Sequence, residues 1–454
     1  MYEQGRYLRL RGDVSCGGLA GVEFNEGVVA VVTEAVLWYL SRRRDLHKIL
    51  IGFDGRRKSE TYSRVSVFIS KLRGLETALT LYPVPLSAVS WLVSEYKFDL
   101  AMYITGCHAP SRYCGVKIID SDGSYLADSD LREIERIIHR ELEDLRETCE
   151  TLELASPDII VDPGRDYVEH MASILSSMFE HRRALRVMLD LGRGSGSGYL
   201  DESLRRLGLE VKCINIGADP DVDVVTEPLQ RLQRARELVL QHGLDVGFCL
   251  DYDADEVGIA VPEGELCPAE MLALLMPELS RREVKRLACS ITSPSLLRES
   301  CIQVGVEVTE TPPGARFLSE YVARETADMG VDELGVALRG KIPLRDSLHT
   351  IALTLSRIDL VRERAESIPE NKKLKTLILD PGARESHLAD NMEHVARLLE
   401  EANLHTARGE YYVHAVGERG RIVVLQDIGR LVRICYEGKM HDVVNKVVAS
   451  LHSL

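Results

Sequence analysis

No stretch of the chain reaches the roughly 20 consecutive apolar residues that a membrane span needs. The longest apolar run near the N-terminus, Gly27 to Leu40, is interrupted by Thr33 and Glu34. The opening segment also lacks the charged-then-apolar layout of a secretory signal, and there is no low-complexity segment. The ten cysteines are scattered singly, with no CxxC pair, so neither a disulfide framework nor a cysteine-only metal site is indicated. The expectation is a cytoplasmic protein with mostly buried thiols and no membrane partner. Nor is there an excess of positive charge. Lys and Arg total 56 against 71 Asp and Glu, a net charge of −15, which repels phosphate backbones and argues against nucleic acid as a partner. A small phosphorylated ligand in a locally basic cleft remains compatible with that balance.

What is present is a long globular chain. At 454 residues, 45% hydrophobic and 28% charged, it can bury several cores, and its length implies about two to four domains. Short runs rich in Val, Ile and Leu alternate with helix-period stretches. Lys48 to Asp54, Phe98 to Thr105, Arg186 to Leu191, Leu244 to Asp251 and Leu287 to Thr292 each end in a polar or glycine-rich loop. Continuous apolar strands followed by loops and helices are the mark of parallel sheets in α/β layers, where ligands sit at the carboxyl ends of strands. The pattern recurs about three times. Glu227 to His242 reads as one long amphipathic helix ending at Gly243. Beyond Glu370 a helix (Asn391 to Ala402), three antiparallel-type strands and a closing helix indicate a smaller α+β domain. The expected organisation is therefore three serial α/β domains (1–151, 152–256 and 257–370) and a C-terminal α+β domain (371–454) around one central cleft.

The sharpest chemical feature is Asp251-Tyr252-Asp253-Ala254-Asp255-Glu256 at the end of an apolar strand. Alternate aspartates on a tight loop repel one another unless they converge on a hard divalent ion, which prefers oxygen ligands. The bland alternative is a solvated acidic loop. A second feature is the segment Thr105 to Lys117, which sets Cys107 beside His108. A thiol next to an imidazole at a strand end is suggestive, although an isolated Cys-His pair is more often structural. The glycine-rich loop Gly192–Gly198 could suggest a nucleotide cradle, but it does not match G-x-G-x-x-G and is read as a structural turn.

Together these segments resemble the α-D-phosphohexomutases, the phosphoglucomutase and phosphomannomutase family. Ile104 to Ile118 is similar to that family's T-A-S-H-N-P…N-G-x-K loop, and Asp251 to Glu256 to its D-G-D-x-D-R metal loop. Gly52 to Arg56, Leu189 to Gly198 and Thr311 to Arg316 resemble further family segments, and Asp332-Glu333 falls where the sugar loop belongs. The resemblance implies phosphoryl transfer between the 1- and 6-positions of a hexose phosphate, through a phosphorylated nucleophile and a sugar bisphosphate. It places Cys107 at the nucleophile position, and Mg²⁺ on Asp251, Asp253 and Asp255 together with the Cys107 position. Proton handling falls to His108, Lys117 and Arg56, and substrate binding to Glu333, Arg316, Arg430 and Arg433. Ligation by Cys107 or His108 would shift the metal preference toward Zn²⁺. The implied partner is a sugar phosphate or bisphosphate, and a homodimer is compatible with the sequence.

The departures from the family pattern are specific. Cys107 replaces the family's serine, and Glu256 stands where an arginine is usual. Gly335 and Ala337 occupy the places of the sugar loop's serine and histidine, and Leu425 to Arg430 occupies the phosphate loop without its serine and threonine donors. Two readings follow: an altered or weak mutase or related phosphatase with an unusual nucleophile, or a non-catalytic paralogue that binds a sugar phosphate or a partner protein.

Overall fold

The computed structural model describes residues 10, 16–140, 154–178, 185–217, 227–282, 284–340, 342–381 and 388–453. Its strands build four sheets. In the first, Lys48–Phe53 pairs in parallel with Glu76–Thr80 and Leu100–Thr105, and Ile159–Val161 adds a parallel edge. On the other side Tyr113–Asp120 runs antiparallel to both Leu100–Thr105 and Cys16–Leu19. In the second, Glu210–Ile214, Arg186–Asp190 and Val246–Leu250 are parallel, followed by antiparallel Val257–Val261 and Gly264–Leu266. In the third, Glu307–Thr311, Arg286–Ser290 and Met329–Val331 are parallel, with Val336–Leu338 antiparallel. The fourth is wholly antiparallel: Lys375–Leu379, Val432–Gly438, Gly420–Gln426, Tyr412–Gly417 and His405–Arg408. Three α/β units and one α+β unit result, as the sequence leads one to expect.

The three α/β sheets share a device that positions the site. In each, a buried parallel strand turns straight back into an antiparallel neighbour. The turns are residues 106–112, 251–256 and 332–335. Leu100–Thr105 and Val246–Leu250 are buried along their whole length, which is why they read as unbroken apolar runs rather than alternating ones. Their ends deliver the nucleophile-position loop and the acidic loop to one place. Neighbouring units then lock together at these turns: Leu86 donates its amide to the Asp253 carbonyl, Val257 to the Leu334 carbonyl, and the Ser347 hydroxyl to the Ala254 carbonyl. One hydrophobic core runs continuously from Leu50 of the first unit to Ile368 of the third.

Strand pairing crosses two of the expected boundaries. The 151/152 boundary lies outside the described residues, but Ile159–Val161 closes the edge of the first sheet beside Glu76–Thr80. At 256/257 the acidic turn is so tight that the next apolar run folds back onto the same sheet, which therefore extends to Leu266. The stretch from Glu227 is also not one helix. Pro228 starts a 3-10 turn, Pro228–Arg231, capped by Glu227, and the α-helix proper is Leu232–Gln241. The apolar run Gly27 to Leu40 is a buried helix, Glu26–Ser41, whose N-cap Asn25 accepts from the Val28 amide. Among the described residues no helix is long and apolar enough to cross a membrane, and the nine cysteines described there form no disulfide and are buried except for Cys213.

Candidate functional site

Arg56 builds the nucleophile-position loop. Its Nε donates to Asp54, Nη1 to the carbonyls of Pro110 and Tyr113, and Nη2 to those of Cys107 and Ala109, at 2.5–2.9 Å. A guanidinium has five N–H donors, so none is left over for substrate, and Arg56 serves to position the loop rather than to move protons. The loop needs Gly106, because a Cβ there would lie 2.7 Å from both the Arg56 guanidinium carbon and the Tyr113 carbonyl oxygen. Cys107 itself adopts φ +51°. A non-glycine residue in that region costs on the order of 1–3 kcal/mol and is found where surrounding structure over-determines it, commonly at functional sites. Ala254, in the acidic turn, is held at φ +59°.

The expected residues do converge. Cys107 Sγ lies 3.2 Å from Glu256 Oε1 and 3.6 Å from Lys117 Nζ, which in turn reaches Asp253 at 2.7 Å and Asp255 at 3.1 Å. Ligand atoms of Cys107, Asp251, Asp255 and Glu256 all lie within 4.8 Å of one another. Asp253 is drawn instead toward Lys117 and Thr105. All these side chains are buried.

The carboxylates carry the signature of a cation site. Asp251 Oδ2, Asp253 Oδ1 and Asp255 Oδ1 are buried with no hydrogen-bond donor on them, and an uncompensated buried charge is costly. Without a cation, protons supply the compensation. Burial and the neighbouring charge of Asp253 push Asp251 well up and Asp255 up to about 8. Burial acts the same way on Asp253, but Lys117 outweighs it and holds that carboxyl below its usual range. The convergent carboxylates of Asp251, Asp255 and Glu256 fit Mg²⁺, and adding the Cys107 thiol gives a set suited to Zn²⁺.

The pKa of the thiol is raised rather than lowered in this setting. Burial pushes Cys107 well up, and Asp253 and Glu256 add to the rise. His108 shares Glu256 with the thiol: a ring nitrogen, Cys107 Sγ and a Glu256 oxygen lie within 4.8 Å of one another, Nδ1 meets Glu256 at 3.0 Å and Nε2 meets Asp427 at 2.6 Å. Burial opposes its charge, but Asp427 and Glu256 prevail and hold it well above its ordinary value, so an imidazolium bridges two carboxylates from different units.

The departures from the family pattern touch one another. Glu256, the acid in an arginine's place, accepts from Arg345 at 2.6 Å as well as facing His108. Arg345 is buried and also pairs with Asp332 at 2.8 Å. Gly335 makes room for it, since a Cβ there would fall 2.6 Å from Arg345 Cγ. Asp427 completes the His108 bridge, and Ile428 and Leu431 pack on Cys107, Ala109 and Tyr113. Gly17 matches this loop too, for a Cβ on it would meet Ile428 at 2.9 Å. Arg345 was invisible to motif reasoning. Its only cue is a lone arginine before Asp346, which caps the apolar helix Ser347–Ser356.

The expected substrate-binding residues are all engaged by protein groups. Arg433 pairs with Glu333 at 3.0 Å, leaving Glu333 Oε2 buried without a partner. Arg430 pairs with Asp380 at 2.9 Å. Arg316 pairs with Asp128 at 2.7 Å and donates to the Leu10 carbonyl, away from the carboxylate cluster.

Comparison with known proteins agrees with this architecture. Residues 10–144 match the family description phosphoglucomutase/phosphomannomutase, alpha/beta/alpha domain I, and residues 165–264 match domain II, together more than half of the chain. The chain is 26% identical to a phosphoglucosamine mutase of Thermobifida fusca over 72% of this chain and 73% of that one. It is 23% identical to the Clostridium tetani phosphoglucosamine mutase over 98% of both. Its fold is similar to a phosphoglucomutase/phosphomannomutase family protein of Burkholderia thailandensis (TM-score 0.72, 16% identity, covering 100% of this chain and 97% of that one). It is also similar to an Aspergillus fumigatus N-acetylphosphoglucosamine mutase in complex with glucose 1,6-bisphosphate (TM-score 0.60, 12% identity, covering 100% and 96%).

Proposed function

The chain belongs to the α-D-phosphohexomutase family, and from that premise we propose that it binds a hexose or amino-sugar phosphate and transfers a phosphoryl group slowly, with Cys107 at the nucleophile's place. The observation that carries this reading is the set of partnerless buried oxygens on Asp251, Asp253 and Asp255 beside Cys107 and Lys117. A site that had lapsed entirely would be under no constraint to keep such costly groups. Asp251, Asp255 and Glu256 would hold Mg²⁺, or the same three with Cys107 would hold Zn²⁺. When bound, the cation would neutralise charge that builds up in the transfer.

The chain's own residues set the rest. Glu256 Oε1, at 3.2 Å, is within reach to accept the Cys107 proton. Attack by sulfur forms the S–P bond and breaks the P–O bond to the sugar, and the departing sugar oxygen takes a proton from the Lys117 ammonium. The amino-sugar class follows the phosphoglucosamine mutases that the chain resembles. Because Cys107 is buried beneath Ile428 and Leu431, the loop from Asp427 to Leu431 must withdraw before substrate enters, and turnover is expected to be low. A second reading, sugar-phosphate binding without turnover, is favoured by the Glu256–His108–Asp427 bridge, which closes the cleft.

Mass spectrometry after incubation with glucose 1,6-bisphosphate or glucosamine 1,6-bisphosphate, alongside a coupled mutase assay, separates the two. A phosphate adduct on Cys107 and slow turnover, both lost in Cys107→Ala, support the first reading. Saturable binding with neither adduct nor turnover establishes the second. Cys107→Ser alone is not expected to give turnover in the usual range of about 1–10³ s⁻¹, because the closure involving Glu256 and Asp427 persists.

A further inference from the structure

The glycine-rich loop has two ends with different work. Gly192, Gly194 and Gly196 pack on the acidic turn: a Cβ on Gly192 would sit 2.4 Å from the Leu250 carbonyl oxygen, and one on Gly194 2.4 Å from that of Tyr252. Ser195 fixes the loop further by donating both its amide and its hydroxyl to the Tyr252 carbonyl. This half is the structural turn expected from the sequence. The far half, Ser197 and Gly198, opens together with the outer side of Gly194 and Ser195 onto a cavity of about 480 Å³, whose lining includes none of the carboxylates of the central cleft.

The lining of that cavity combines an anion's requirements with a ring's. Arg165 and Arg206 border it together with Glu202, and the two arginines pair with the surface acids Glu169 and Glu202, contacts that contribute little and exchange readily. The 15-residue helix Gly164–Met178 begins at its wall, and the loops that form it follow the carboxyl ends of the parallel strands Arg186–Asp190 and Glu210–Ile214, where α/β sheets place ligands. Two tyrosines supply flat apolar faces: Tyr82, 58% exposed, and Tyr199. Tyr82 and Tyr199 line the same cavity as Arg165 and Arg206, which brings together the aromatic rings and guanidinium groups that a ring bearing a phosphate needs.

We propose that this cavity is a separate binding site for a phosphorylated ring compound, its phosphate on Arg165 and Arg206 and its ring against Tyr82 and Tyr199. Nucleoside phosphates and sugar phosphates share that chemistry. The site is independent of whether Cys107 turns over.

Equilibrium dialysis of the full chain with AMP, glucose 6-phosphate, adenosine and inorganic phosphate tests it. Either AMP or glucose 6-phosphate, whichever ring is accommodated, should bind saturably and more tightly than adenosine or phosphate alone. Because the central cleft is itself proposed to take a hexose phosphate, the binding scored is that retained by Asp255→Asn, and in that background Arg206→Ala and Tyr82→Ala should each weaken it about tenfold. Three results would overturn the proposal: no probe saturating below about 10 mM; phosphate alone binding as tightly as both ring compounds; or binding that Asp255→Asn abolishes and Tyr82→Ala spares, which assigns the ligand to the central cleft.

Discussion

Glu256 decides how the individual exchanges are to be understood. Read alone, an acid in an arginine's place repels a phosphate. In the folded chain it accepts from Arg345 and is a partner of His108, so its charge is compensated inside the protein. Restoring arginine at 256 would set two guanidiniums and an imidazolium together in a buried space. Glu256→Arg is therefore predicted to destabilise the fold by about 3–5 kcal/mol, the cost of an uncompensated buried charge, and Glu256→Gln by less. Chemical denaturation of the two variants checks this, and a Glu256→Arg protein within 1 kcal/mol of wild type would refute it. Motif reasoning located Cys107, Lys117 and the aspartates because those residues sit in contiguous, spaced segments. The resemblance assigns Arg56 to proton handling, and in the fold its five donors go to Asp54 and the loop carbonyls; adjacency sets His108 beside the thiol but gives no sign of its carboxylate partners Glu256 and Asp427.

The three turns at 106–112, 251–256 and 332–335 are the elements that do the positioning. Their strands were legible as apolar runs, since a strand buried on both faces leaves that mark. Their equivalence as strand-to-strand turns was not, because it depends on Tyr113–Asp120, Val257–Val261 and Val336–Leu338 running antiparallel, and a short apolar run carries no sign of its direction. The same blindness shortened the second unit by the length of its hairpin. At the acidic turn the account makes a test of sign. Asp251 and Asp255 hold protons that a divalent cation must displace, so binding should release protons and tighten as pH rises toward about 8, the value to which Asp255 is pushed. Titration calorimetry with Mg²⁺ and Zn²⁺ in buffers of different ionisation enthalpy measures that release, and cation binding without proton release at pH 6 would contradict the arrangement.

Across the whole molecule the C-terminal unit is held onto the others by buried polar groups as well as by apolar contact. Glu227 caps the 3-10 turn Pro228–Arg231 and faces Thr376 of the C-terminal unit. Burial raises it from 4.5 to about 7, with His108 opposing the rise. The folded chain thus keeps a proton that the unfolded chain releases. Stability from this group is full below pH 4.5, declines as pH climbs, and is lost by about pH 7. The loss is on the order of 3 kcal/mol, and Glu227→Gln should remove that pH dependence in denaturation curves between pH 5 and 8. The fold class was readable from the sequence, whereas the closure was not, because Glu256, His108 and Asp427 come from three units and only the tertiary structure joins them. In that closure the residues that depart from the family pattern act as one assembly around His108. A double-mutant cycle on Glu256→Gln and Asp427→Asn tests it most directly, since the two acids share one imidazolium. The account predicts a coupling of at least about 1 kcal/mol in denaturation free energy, whereas effects that add within about 0.3–0.5 kcal/mol, as at independent sites, would contradict it.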